Sequence, residues 1–182
     1  TMYTDITAPI TPELPAWEKE CGLGETYRIL QSAISEGAFA NVSVLPEFMV
    51  HTGTHVDGPN HFMPGHTKGV ESLSLETLNG SCIVTKTLDV DEITADVVRS
   101  LNLPKNAKRV LFKTRNSVRE LMHRTSFHED YTAITACGAA YIAKETSIDF
   151  VGIDYLSVAP YHNLVDCHQN LLGRCGREIA IL

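Results

Sequence analysis

The segment His51-Thr-Gly-Thr-His55-Val-Asp57-Gly-Pro59-Asn-His61 constrains this chain more than any other. It spaces two histidines four apart, as a metal-binding helix does, but fills the interval with residues a helix rejects. Two β-branched threonines flank a glycine, and Pro59 forbids continuation. The segment is therefore expected to be extended, with His51, Gly53, His55 and Asp57 on one face. A straight strand would hold the alpha carbons of residues 51 and 55 roughly 13 Å apart, at about 3.3 Å per residue. Two imidazoles so spaced cannot share an ion that must lie about 2.0–2.1 Å from each nitrogen. The pattern thus predicts a bend or bulge at Gly53, where glycine permits it, and a turn at Pro59 that returns His61 toward the same point.

Imidazole and carboxylate are the common ligands of divalent ions, and imidazole also carries protons near neutral pH. The chain has eight histidines, and three of them fall in this window beside an aspartate. A lone histidine in a strand is usually a hydrogen-bonded structural residue, but four convergent groups on one bent segment point to a metal centre. His66, His123, His128 and His162 have no such company and are expected to be structural or solvent-facing. His66 lies in a Pro-Gly-His-Thr-Lys-Gly stretch with the chemistry of an exposed turn.

Length and composition bound the rest. At 182 residues the chain reads as a single domain with room for a substantial core. Its net charge of −7 argues against a general nucleic-acid binder. No apolar run has the length of a bilayer span. The start, TMYTDIT, has no signal-peptide pattern, which points to a cytoplasmic location, with secretion open because a removed leader leaves no trace. Five scattered cysteines without a CxxC pair fit reduced thiols. Cys167, beside His168, is expected to be a small buried residue rather than a nucleophile.

Periodicity alternates strands with short helices and gives an α/β domain with mixed sheet. Strands are expected at Tyr3–Thr7, Asn41–Val50, Ser81–Val90, Arg109–Thr114, Phe150–Ile153 and Glu178–Leu182. Helices are expected at Ile93–Leu101, capped by Asp91 or Thr94, at Thr135–Glu145, and at Leu164–Leu172. Residues 8–40 are irregular and long for a loop, as a functional lid would be. Trp17 in that lid, with Phe62 and Met63 after His61, would give an aromatic wall that suits an aryl substrate, although Phe62 and Met63 could equally be core. Asp154 and Ser157 follow a buried strand, where open α/β sheets often place ligand contacts, and helix-capping or turn roles serve them as well.

The string HTGTHVDGPNH resembles the His-x-Gly-Thr-His-x-Asp-x-Pro-x-His signature of the cyclase-like family, which includes bacterial-type kynurenine formamidases (arylformamidases) and isatin hydrolases. Asp5-Ile6-Thr7, residues 10–17, residues 110–116 and residues 151–158 agree with it, and His168 with Leu171-Leu172 resembles the family's final His-x-x-Leu-Leu element. The wording Ile153-Asp154-Tyr155-Leu156-Ser157 is most similar to plant-type cyclase-like proteins. The resemblance implies a layered fold of swivelling β/β/α type and a homo-oligomer. It implies His51, His55, Asp57 and His168 as metal ligands, Asp57 bridging, and His61 as the general acid/base. Zinc suits such a donor set, with manganese as the alternative. A bound ion of this kind activates water and polarises a carbonyl at neutral pH, and an imidazole can pass a proton to a leaving nitrogen.

The implied reaction is hydrolysis of an activated amide in a small-molecule substrate, with N-formylkynurenine to kynurenine and formate in the lead. A cyclic, isatin-like amide is the alternative, as is a catalytically weak member that binds a metal or small ligand. Two departures bear on this. Trp17 precedes Glu18-Lys19-Glu20 where bacterial formamidases carry Pro-Gly-Asp. The family's last strand also bears a metal-binding glutamate directly after its Ile-x-Ile-x pattern, a position that falls just past Leu182; Glu178 lies an odd number of residues from it, on the opposite strand face.

Overall fold

The computed structural model describes residues 4–25, 28–31, 37, 42–45 and 49–182. Its elements in chain order are β1 (Arg28–Gln31), β2 (Val42–Val44), α1 (Leu75–Leu78), β3 (Ile83–Thr87), β4 (Glu92–Ile93), α2 (Ala95–Ser100), β5 (Arg109–Thr114), α3 (Arg115–Val118), β6 (Ala133–Ile134), α4 (Ala136–Glu145), β7 (Phe150–Ile153), α5 (Leu164–Leu171) and β8 (Ala180–Ile181). The main sheet is parallel throughout, in the order β3-β5-β7-β8. The antiparallel β1–β2 pair and the parallel β4–β6 pair form separate sheets. Parallel and antiparallel pairing thus both occur, but in different sheets.

One face of the main sheet carries the core. Val110, Phe112, Val151 and Ile181 pack with Val98 of α2, Ala139 and Ile142 of α4, and Cys167 and Leu171 of α5. Helix starts follow ordinary capping chemistry: the Thr94 hydroxyl accepts from Val97 N, and that of Thr135 accepts from Gly138 N. Gly138 is required there, since a Cβ would lie 2.3 Å from the carbonyl oxygen of Ile93. Helix α5 buries the stripe Cys167, His168 and Leu171, with Leu164 half-buried one turn earlier, so an imidazole occupies a position that the helical period assigns to the core. A second, aromatic cluster of Phe127, Tyr131, Tyr155, Leu121 and Leu156 includes Trp17 at its edge.

Several boundaries differ from expectation. Residues 4–7 are irregular rather than a strand, and Tyr3 lies outside the described residues. The strand expected over 41–50 is confined to Val42–Val44, with 41 and 46–48 outside the described residues. The helix expected from Ile93 starts at Ala95, because Glu92 and Ile93 pair with β6 instead. Of the expected lid, residues 8–25 are irregular and β1 begins at Arg28, while 26–27, 32–36 and 38–40 lie outside the described residues. Among the described residues, no helix is long and apolar enough to cross a membrane.

Candidate active site

The motif segment is not a strand. It runs as a bent loop beside β8, docked by Asp57 N donating to Ile181 O at 3.1 Å and by Asn60 N donating to Lys68 O at 3.1 Å. Gly53 bends it with φ +59°, a left-handed conformation in which a side chain is strained. The carbonyl thus presented by Gly53 meets Nδ1 of His55 at 2.8 Å. Pro59 occupies a turn closed by His61 N donating to Gly58 O at 2.9 Å, which swings His61 back over the loop.

Asp57 is the hub, buried to 5% exposure. His51 Nδ1 lies 3.1 Å and His55 Nε2 3.5 Å from its Oδ1, and His168 Nε2 lies 3.7 Å from its Oδ2. His61 stacks on His51, with ring centroids 4.0 Å apart, and faces His168 edge-on at 5.7 Å. Donor atoms of His51, Asp57 and His61 all fall within 4.8 Å of one another. All five residues singled out in the sequence therefore meet. The geometry gives His61 the reach of a ligand as well as that of a proton carrier.

The rings of His55 and His168 are oriented from behind. Nδ1 of His55 meets Gly53 O, and Nδ1 of His168 meets Leu164 O at 2.7 Å, which assigns a proton to Nδ1 and leaves each Nε2 as the ring nitrogen nearer Asp57. His168 sits in the middle of α5, one turn beyond Leu164, rather than at a helix end.

Burial by itself would raise the Asp57 carboxyl, but the contacts from His51 and His55 and the nearby rings of His61 and His168 outweigh it, and the group is held well below the usual carboxylate range. His61 is exposed toward the cavity and withdrawn from water on its other side; that withdrawal is the largest influence, Asp57 opposes it, and the neighbouring imidazoles add to it, leaving the ring pushed down to about 4. His168 is lowered chiefly by burial. For His55 burial is again the largest influence, yet Asp57 and Gly53 O together overcome it and raise the ring.

These residues fit a divalent cation. Oδ1 of Asp57 is buried without a hydrogen-bond partner of acceptable geometry, despite its closeness to His51. An orphaned anionic oxygen ringed by imidazoles is costly in a protein interior unless a cation completes it.

The cluster forms one end of a cavity of about 990 Å³. Trp17, Leu14 and Phe62 line it, together with Leu111, Val84 and Leu182 from the sheet face that carries no helices. Trp17 packs on Phe127 at 4.7 Å and on Tyr161 at 5.6 Å, so part of the expected lid is a fixed wall. Tyr161 also donates to Glu18 Oε1 at 2.8 Å. Phe62 faces both ways: it lines the cavity and stacks on His168 at 4.1 Å. Met63 is a correction. It packs against the main core and does not line the cavity.

Asp154 accepts from Thr114 N, Thr114 Oγ1, Asn116 Nδ2 and Ser117 N, so it ties the end of β7 to the start of α3. Ser157 Oγ accepts from Ala159 N in a turn. Both side chains bond within the chain, and both residues also line the cavity. Glu178 stands apart from Asp57, 3.9 Å from His66 at the surface. Sequence reasoning missed Leu14, which is buried beside Gly53, and Gln169, which donates to Phe62 O at 2.9 Å. The only signal for Gln169 was its place next to His168.

The sequence model of the Cyclase family matches residues 4–160. Cyclase-like protein 1 of Arabidopsis thaliana is 37% identical over 178 residues, 96% of this chain and 69% of that protein. Cyclase-like protein 3 of the same plant is 39% identical over 173 residues, 93% of this chain and 63% of that protein. The chain therefore spans roughly two thirds of these relatives' length. Kynurenine formamidase of Geobacillus thermodenitrificans is 28% identical over 177 residues, 97% and 79% of the two chains. Among solved structures, one described as a potential metal-dependent hydrolase with cyclase activity is 29% identical with a TM-score of 0.72, covering 98% of this chain and 79% of that one. Isatin hydrolase A from Labrenzia aggregata shares the fold, with a TM-score of 0.71 at 16% identity, covering 98% and 78%.

Proposed function

The chain belongs to the Cyclase family, and from that premise we propose that it is a metal-dependent hydrolase of activated amides, with an N-formyl aryl amine such as N-formylkynurenine as the lead substrate. The observation that carries this reading is the orphaned Oδ1 of Asp57, ringed by imidazoles at one end of a cavity with aromatic walls. His51, His55, Asp57 and His168 would hold the ion, with zinc favoured by the imidazole-rich set and manganese as its competitor. When bound, such an ion supplies Lewis-acid polarisation of the carbonyl and an activated water.

The chain's own residues do the rest. Trp17 and Phe62 offer ring faces along the cavity, which orient a flat aryl group. The apolar side chains Leu14, Leu111 and Leu182 exclude water from the remainder of its surface. His61 opens onto the cavity beside the cluster, and its low basicity keeps the ring neutral at pH 7. A neutral imidazole can take a proton from the attacking water and return it to the leaving nitrogen. No serine or cysteine nucleophile is needed. The family resemblance to kynurenine formamidases supports the formamide reading at 28% identity, while the higher identity to the plant cyclase-like proteins leaves room for other carbonyl substrates.

The test is to purify the protein, measure metal per chain, and assay N-formylkynurenine with added zinc or manganese. Turnover that tracks metal content is expected. Folded, metal-loaded protein with no turnover would instead mark a binding protein. His61→Ala should abolish turnover and leave metal content nearly unchanged; loss of metal would make His61 a ligand.

A further inference from the structure

We propose that Gln169 is a positioning residue for His61, acting through the peptide carbonyl of Phe62. The inference rests on the reading of His61 as the proton-transfer group. Among the described residues, no hydrogen bond fixes the His61 ring, which is held only by its stack on His51 at 4.0 Å and by edge contacts with Phe62 at 4.4 Å and His168 at 5.7 Å. Stacking leaves a ring free to slide in its own plane, so the direction of His61 is set by the backbone that carries it.

That backbone is gripped on its far side by one turn of α5. Gln169 Nε2 donates to Phe62 O at 2.9 Å, and the Phe62 ring lies flat on His168 at 4.1 Å and 16°. Two consecutive helical residues thus hold one residue of the motif loop, one by its carbonyl and one by its ring. The connection spans 107 positions of sequence and joins the two halves of the site. The helix is itself anchored, since Asn170 Nδ2 donates to Ala136 O at the start of α4. On the other side of the loop, Asp57 N donates to Ile181 O. Asn60 N also donates to Lys68 O, so His61 sits between ties on both sides, and Gln169 supplies the one that follows it. Its donor reaches neither Asp57 nor any of the metal-type side chains, so its loss should leave ion binding in place and move His61.

Three variants separate these effects. Gln169→Met removes the donor at constant length, Gln169→Asn withdraws it by one methylene, and Gln169→Lys restores a donor on a flexible chain one atom longer. For Q169M and Q169N, zinc per folded chain should stay within about two-fold of the parent, because the ligands are untouched. Turnover of N-formylkynurenine should fall about ten-fold or more in kcat with little change in KM, the signature of a misplaced proton carrier rather than a damaged binding site. Histidine-ring nitrogen–proton NMR spectra of the zinc-loaded protein should show the His61 signals displaced in Q169M and Q169N and returned in Q169K. The proposal is overturned if His61 signals and kcat in folded Q169M match the parent, or if zinc is lost in step with activity. Should Q169M fail to fold, the contrast between Q169N and Q169K decides. If the parent shows no turnover but its His61 signals still respond to Gln169, the positioning role stands and the formamidase reading falls.

Discussion

The two halves of the site solve the same problem by opposite means. In the motif loop, regular structure is absent, and local devices shape it: the left-handed Gly53, the carbonyl bond to His55, and the turn at Pro59. In α5, one histidine is placed by the helix itself, buried to 3% exposure among core residues with its Nδ1 fixed one turn back. The loop concentrates four groups into eleven residues, as no helix could, but it depends on external ties. The helix contributes one group and makes its position part of the core. The loop should therefore be the adaptable half and the helix the half whose damage spreads.

The largest expected effect tests the hub that both halves share. Asp57→Asn keeps size and hydrogen bonding but removes the charge that the imidazoles surround. Ion affinity should fall well beyond the about 10–100-fold cost of an outer-shell change, and turnover should fall with it, while the fold persists. Metal analysis beside circular dichroism reads both. A D57N protein that still holds a full equivalent of zinc would move the hub elsewhere.

The next test separates the halves. His168→Ala and His55→Ala should each weaken ion binding, yet their effects on the metal-free protein should differ. Truncating His168 empties a buried site under Phe62 and should cost on the order of 2 kcal/mol. Truncating the part-exposed His55 should cost less than about 1 kcal/mol. Urea unfolding in the presence of a chelator measures both. Equal losses would break the distinction between an adaptable loop and a core-built helix.

The same distinction explains what the sequence made legible. The loop's ligands were readable because its devices are local: glycine, proline and ligand-type residues within a few positions announce a bend and its contents. Even there the expected strand gave way to an irregular loop, because bending at residues 50–54 leaves no partner strand for the backbone. Strands β5 and β7 matched at both ends, since each is built on a short apolar run, buried along most of β7 and at alternate residues of β5. His168 was unconvincing from residues alone. Its meaning depends on a contact with Asp57 across more than a hundred positions, which local pattern does not encode. The helical period could have shown that it shares a buried face with Cys167 and Leu171, and a histidine on a core face is itself a signal. Gln169 and the partners of Asp154 were invisible for a related reason: polar residues that bond to distant backbone look like any solvated residue in sequence. Met63 stayed open between cavity wall and core, because its place after His61 does not reveal which side of the turn it faces.

A smaller effect tests whether the loop's bend matters to the ion. Gly53→Ala forces a side chain into φ +59° and sets its Cβ 3.2 Å from Leu14 Cδ2. The conformational cost is roughly 1–2 kcal/mol. Gly176→Ala is the control: it has φ +85° and open space around a new Cβ, outside the loop and away from the hub. Both should lower stability by a similar amount in urea, but only G53A should also weaken ion binding, because the Gly53 carbonyl orients His55. If G176A weakens binding equally, the effect is general loosening and the bend has no special role.

The smallest effect concerns how firmly the helical half is held, and two thiols report it without touching the site. Cys137 is exposed near the start of α4, and its thiol is lowered, first by the hydrogen bond with Thr135. It should react with a thiol reagent in native protein at a rate insensitive to low urea. Cys167 is fully buried beside His168, and burial pushes its thiol strongly up. If α5 is as firmly built into the core as its buried stripe indicates, Cys167 should be modified only as the whole chain unfolds, with the urea dependence of global unfolding. Modification at low urea would show that α5 opens by itself. The helix would then be the mobile half, and the placement of His168 would depend on the loop rather than on the core.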